Sequence, residues 1–132
     1  MDRATDYAKR FGERFEELDD RAFNRHELEA FHVSRTPEYI QHSPKGRDGL
    51  EGLVEVLSGA KAKGWKFSAT RHHTLADGDF IVSHRVYDCD RFELMMNHHT
   101  FDVFRLNAEG RAVEHWDVMD PFEDRAELER VL

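Results

Sequence analysis

The sequence predicts an α+β fold, and three observations carry that expectation. Apolar residues recur at three- and four-residue steps through the first half of the chain. After Gly64 the repeat shortens to two, and polar turns divide the remainder into four extended runs. No linker-like tract, internal repeat or low-complexity stretch interrupts the 132 residues, so a single domain over 1–132 is expected. Helices followed by a four-strand antiparallel meander would lie together on one face of a sheet.

The first helix is read from Tyr7, Phe11, Phe15, Leu18 and Ala22, an aromatic-rich stripe with charges between. Asn24 and Glu27 have capping-box spacing for a short second helix carrying Leu28 and Phe31, with Thr36–Pro37 as its break. An extended "EYIQHSP" then ends at Pro44. Asp48 is the expected N-cap of a third helix, whose stripe is Leu50, Leu53, Val54 and Leu57 and whose end is bracketed by Gly59 and Gly64. The strands are read as "WKFSATRHHTLA", "FIVSHRVY", "RFELMMNHHTFDVFRL" and "RAVEHWDV", and Asp124 with Glu127 opens a helical tail.

Acidic residues outnumber Lys and Arg by 27 to 19, which argues against nucleic acid or an anionic membrane as partner. The lone Cys89 excludes an intramolecular disulfide and suits a reducing compartment. With no leader-like apolar run and no stretch near the roughly 20 apolar residues of a membrane span, a soluble cytoplasmic protein is expected.

The last hairpin raises the chemical question. Its strands read "FDVFRL" and "AVEHWDV", with Asp102 set among apolar neighbours and Glu114, His115, Trp116 and Asp117 in a row. Alternation puts His98, Thr100, Asp102 and Phe104 on one face, and Val113, His115 and Asp117 on one face of the return strand. A register that brought Asp102 beside His115 would pair an acid with an imidazole. Burial among Phe side chains would raise the Asp102 pKa, and a neighbouring imidazolium would lower it. The competing reading is an Asp102 that faces solvent. His42, in "YIQHSP", is a second candidate, with a structural histidine as its alternative. Nine histidines include pairs at 72–73 and 98–99, but strand neighbours face opposite ways, so each pair is expected to give at most one ligand. HExxH and CxxC spacings are absent; several strand histidines could still converge on zinc through the fold, but neither a metal nor a cofactor is the reading taken. Nucleophile-elbow and phosphate-loop motifs are absent too.

The segments "EYIQHSPKGRDGL", "LADGDFIVSH" and "FDVFRLNAEGRAVEHWDV", in this order, resemble a SnoaL-like polyketide cyclase of the nuclear transport factor 2-like superfamily. The resemblance runs from the first helix to Asp117. It implies a cone: a curved, mostly antiparallel sheet wrapped by about three N-terminal helices around a pocket, commonly in a homodimer formed through the outer sheet face. It also implies that Asp102 matches the ketosteroid isomerase aspartate that donates to an enolate oxygen. On the same resemblance His42 lies at or beside the base position, and His115 and Asp117 face inward on the last strand. Tyr7 lies on the helix that carries the isomerase's oxyanion tyrosine.

The expected activity is therefore cofactor-free acid–base chemistry on a small apolar carbonyl compound: aldol cyclisation, isomerisation or dehydration. His42 or His115 would be the base, and a neutral Asp102 the donor to the enolate oxygen. Asp117 would orient His115, and Trp116, Tyr39, Phe31 and Tyr7 would pack the substrate. The alternative is a non-catalytic ligand-binding or dimeric interaction module of the same fold.

Overall fold

The computed structural model describes residues 3–42, 49–90, 97–122, 125–130 and 132, with side chains from residue 11 onward except at 125. The expected breaks and caps at Pro44, Asp48 and Asp124, the strand start at 91–96 and the side chain of Tyr7 lie outside the described residues.

Helix α1 (Arg3–Asn24) buries Phe15 and Ala22 completely, as its stripe requires. Asn24 does not cap a second helix. Its side-chain amide donates to the Ala69 carbonyl at 2.8 Å, and its oxygen accepts from the Ala69 N–H at 2.8 Å, joining the end of α1 to the sheet. The second helix, α2 (Ala30–Ser34), starts later, at Glu29, with no side-chain cap. Helix α3 (Gly49–Ala62) buries Leu50 and Leu57, and Gly64 beyond it takes a φ of +73°.

The sheet has five strands rather than the four of the expected meander. These are β1 (Arg35–Gln41), β2 (Phe67–Asp77), β3 (Phe80–Cys89), β4 (His98–Leu106) and β5 (Ala112–Pro121), in the order β1-β5-β4-β3-β2. Strand β1 covers the Thr36–Pro37 pair expected only to break a helix, and it runs parallel to β5. It occupies a sheet edge, where a residue without an N–H is tolerated, and its register shifts between Arg35 and Ile40. The other neighbouring strands pair antiparallel, and the sheet stays open.

Alternation sorts the residues cleanly between two faces. Ile81, Ser83 and Arg85 on β3, Thr100, Asp102 and Phe104 on β4, and His115 on β5 are buried on the inner face. Phe15 of α1 meets Phe104 there with ring centroids 4.6 Å apart. On the outer face Val86 packs with Phe122 and with Leu128 of a short helix, α4 (Arg125–Glu129). Leu75, Phe101 and Val118 stay exposed. Among the described residues no helix is long and apolar enough to cross a membrane.

The turn between β4 and β5 is held by Asn107, whose side-chain oxygen accepts from the N–H groups of Glu109 and Arg111, both at 3.0 Å. Gly110 there has a φ of +78°, and a Cβ would stand 2.2 Å from the Phe11 ring. Gly110→Ala is therefore expected to cost about 1–3 kcal/mol in urea unfolding, from overpacking plus the left-handed backbone. Gly64→Ala shares the positive φ but meets nothing within 4 Å, and should lose only about 1 kcal/mol.

Candidate active site

The hairpin register places Asp102 opposite Asp117 and Phe104 opposite His115, so His115 lies diagonally across from Asp102 on the inner face. His115 Nε2 is 2.7 Å from Asp102 Oδ1, and both side chains are buried. The second oxygen, Oδ2, accepts from the Thr100 hydroxyl and from the Tyr87 hydroxyl, the latter at 3.3 Å. His115 Nδ1 meets the side-chain oxygen of Gln41, delivered by the parallel strand β1. The imidazole is stacked on Phe104 at 4.4 Å between centroids, which fixes its plane.

Beneath the pair lies a buried charge network. Arg35 grips Asp19 with two hydrogen bonds, of 2.6 and 3.1 Å. Arg85 donates to Asp19 at 2.8 Å, to Glu16 at 3.0 Å and to the Tyr87 hydroxyl at 3.1 Å. Tyr87 thus passes a hydrogen bond from Arg85 on to Asp102. Burial alone would raise the Asp102 pKa, but the His115 hydrogen bond, the Arg85 charge and the Thr100 hydroxyl outweigh it and hold the carboxyl below its usual range. Asp102 is a carboxylate here, not the neutral acid expected from burial among Phe side chains. Its partners supply more favourable interaction than its desolvation costs.

A cavity of about 200 Å³ opens over these groups. Its polar walls include Asp102, His115, Asp117, Gln41 and Tyr39, and its apolar ones Phe23, Leu53 and Leu57. Among the described residues no group accepts a hydrogen bond from the buried Tyr39 hydroxyl; its charged neighbour is the Arg35 guanidinium, 5.3 Å from the ring centre, from which it can only accept. Burial, only partly offset by Arg35, pushes this phenol up to about 12, so it stays protonated at neutral pH.

The remaining sequence candidates fall elsewhere. His42 lies on the outer face, its Nε2 2.8 Å from Glu114 and its ring stacked on Trp116 at 4.9 Å. Strand alternation puts Glu114 and Trp116 on the side opposite His115, so neither His42 nor Trp116 reaches the cavity. Phe31 is fully buried core, edge-on to Phe23, and does not line the cavity.

Among the described residues, Asp102, His115 and Asp117 offer one ligand atom each within 4.8 Å of one another, a spacing a cation could bridge. Two of the three donors are committed otherwise. His115 Nε2 and Asp102 Oδ1 bond each other, and two hydroxyls hold Oδ2. The arrangement suits proton transfer better than ligation.

With this geometry in view, a family model described as a SnoaL-like domain matches residues 13–115. The chain belongs to the SnoaL-like family. No curated protein matches it in sequence. Among solved structures, this SnoaL-like chain is similar to TsrD from Streptomyces laurentii, with 20% identity, 91% of each chain covered and a TM-score of 0.71. It is also similar to IdmH of Streptomyces antibioticus, which carries a provisional polyketide-cyclase assignment, at 22% identity over 82% of this chain and 91% of that one, TM-score 0.65. An epoxide hydrolase of M. tuberculosis, termed LEH-like, shares 16% identity over 81% of this chain and 80% of its own, TM-score 0.66. These likenesses establish the open, cone-shaped α+β fold.

Four residues of this SnoaL-like site were not singled out from the sequence: Gln41, Arg85, Tyr87 and Thr100. The signal for Gln41 was present, because in "YIQH" it shares strand parity with Tyr39 while His42 does not. In "IVSHRVY", Ser83, Arg85 and Tyr87 share parity with the apolar Ile81, a charged residue on the buried side.

Asp19 is likewise held low: burial raises it, and the charges of Arg35 and Arg85 more than reverse this. Because the folded carboxyls of Asp19 and Asp102 sit below their unfolded value of about 3.9, their stabilisation is in place above that pH and is lost as pH falls through the folded values. Denaturation midpoints should therefore decline below about pH 4, and less steeply in Asp102→Asn. Asp19→Ala strands two buried guanidinium groups and is expected to cost roughly 3–5 kcal/mol in urea unfolding at neutral pH.

Proposed function

We propose that this SnoaL-like domain is a cofactor-independent acid–base enzyme acting on a small, largely apolar carbonyl compound. The observation that carries the reading is the buried His115–Asp102 pair at a cavity with apolar walls. Asp102, ionised, accepts the Nε2 proton of His115 and so leaves Nδ1 as the basic nitrogen. The Gln41 oxygen at Nδ1 can only accept, so the basic form requires the amide to turn its NH₂ toward Nδ1, from which the substrate then displaces it. His115 then takes a proton from the carbon next to the carbonyl, and Asp102 stabilises the imidazolium that forms. The Tyr39 hydroxyl, protonated and with its own proton given to no described group, donates to the developing enolate oxygen. Asp102 thereby passes the donor role to Tyr39, and His42 is left out.

The enolate has three outcomes. Reprotonation by His115 at another carbon is isomerisation. Attack on a second carbonyl of the same molecule is aldol cyclisation. Expulsion of a β-hydroxyl is dehydration. The cavity volume of about 200 Å³ supports a small substrate. The exposed Ile40, Phe101 and Val118 on the outer face support a homodimer formed there.

Exchange of α-hydrogens of small cyclic and aromatic ketones in D₂O, followed by proton NMR, tests the chemistry without the natural substrate. The wild type should accelerate exchange, and His115→Gln should slow it about 10²–10⁴-fold. Tyr39→Phe is expected to lose about 10²–10³-fold in rate, whereas His42→Gln should retain the wild-type rate. Equal exchange by wild type and His115→Gln would sink the proposal. For the oligomer, light scattering should give twice the chain mass, and Val118→Lys should give monomers.

A further inference from the structure

A second group of imidazoles lies far from the cavity, at the β2 edge of the outer face. Adjacent histidines on a regular strand face opposite ways, which is why the 72–73 pair was expected to give one ligand at most. The β2–β3 register, however, shifts between Arg71 and His73. A bulge adds a residue on one strand and re-aims the side chains around it. Here both rings approach His84 of β3: His72 at 5.3 Å and His73 at 5.6 Å between ring centres. His73 Nδ1 and His84 Nδ1 are 3.4 Å apart.

We propose that His72, His73 and His84 form a binding site for a divalent transition-metal ion that prefers nitrogen ligands, such as Zn(II). The 3.4 Å separation of the two nitrogens is what two metal–nitrogen bonds of about 2.1 Å span at a tetrahedral angle. Two ligands are thus already spaced. His72 is exposed, so turning its ring to bring in a third nitrogen costs little beyond side-chain entropy. Stacking on Phe101 at 4.6 Å and contact with His99 at 5.2 Å keep the His84 ring in place. Across the row, Asp120 lies 3.4 Å from His99 and adds the nearby negative charge. Three imidazoles leave a fourth position for water or a ligand from a partner.

The test is calorimetric titration of Zn(II) into the untagged full chain after chelator treatment, with circular dichroism to check folding. One zinc per chain is expected. His73→Ala and His84→Ala should each weaken binding at least about tenfold, and His32→Gln, on α2, should not. Absence of zinc binding to the wild type would overturn the proposal. So would unchanged affinity in both His73→Ala and His84→Ala, an equal loss in His32→Gln, or a loss produced instead by Asp117→Asn in the cavity.

Discussion

One carboxylate, Asp19, is shared by two buried guanidinium groups, and it organises the inner face. Arg35 comes from the edge strand β1 and Arg85 from β3, while Asp19 and Glu16 come from α1. Two positive and two negative charges out of water nearly cancel, and each needs the others' geometry. Such a network adds little net stability over a well-packed apolar core, because desolvation consumes most of the attraction. What it ties together is arrangement: both arginines of the sheet are satisfied from one helix, by Asp19 and Glu16 one turn apart on α1. The aromatic rings of Phe15, Phe31, Tyr39 and Phe104 around Arg35, at 4.9–5.4 Å, close off alternatives.

The same network sets the chemistry above it. Arg85 reaches Asp102 through Tyr87, and its charge helps keep a buried carboxyl ionised. An ionised Asp102 cannot donate a hydrogen bond, so the role left to it is to hold and stabilise an imidazole. Inner-face polarity therefore forms one continuous line from α1 to β5, with the cavity at its end. Phe23, Leu53 and Leu57 line that end beside the polar groups, and the pair itself is buried, where each hydrogen bond counts for more than it would in bulk solvent.

Two breaks in strand regularity do much to decide which side chains meet. Strand β1 shifts register against β5 between Arg35 and Ile40, yet Tyr39 and Gln41 still face inward and His42 outward. On β2 the shift between Arg71 and His73 gathers two neighbouring imidazoles beside a third. A bulge of this kind leaves no compositional trace in "ATRHHTLA", because it depends on how the partner strand pairs. The capping-box spacing at Asn24 and Glu27 misled for a related reason. The Asn24 amide found two strong partners on Ala69, and Glu27 was taken by Arg21 at 2.8 Å.

Local pattern by itself determined the helices, the hairpins, the α+β class and the shared face of Thr100, Asp102 and Phe104, because these follow from periods of 3.6 and 2 along the chain. Even the pairing of Asp102 with His115 was open to a parity argument, since both strands belong to one short hairpin. Tertiary structure alone decided which side of β1, that of Tyr39 and Gln41 or that of His42, meets the cavity, that Asp102 is charged, and that β1 completes the sheet. Each of these depends on contacts between residues distant in sequence, whose charge and register no local period records.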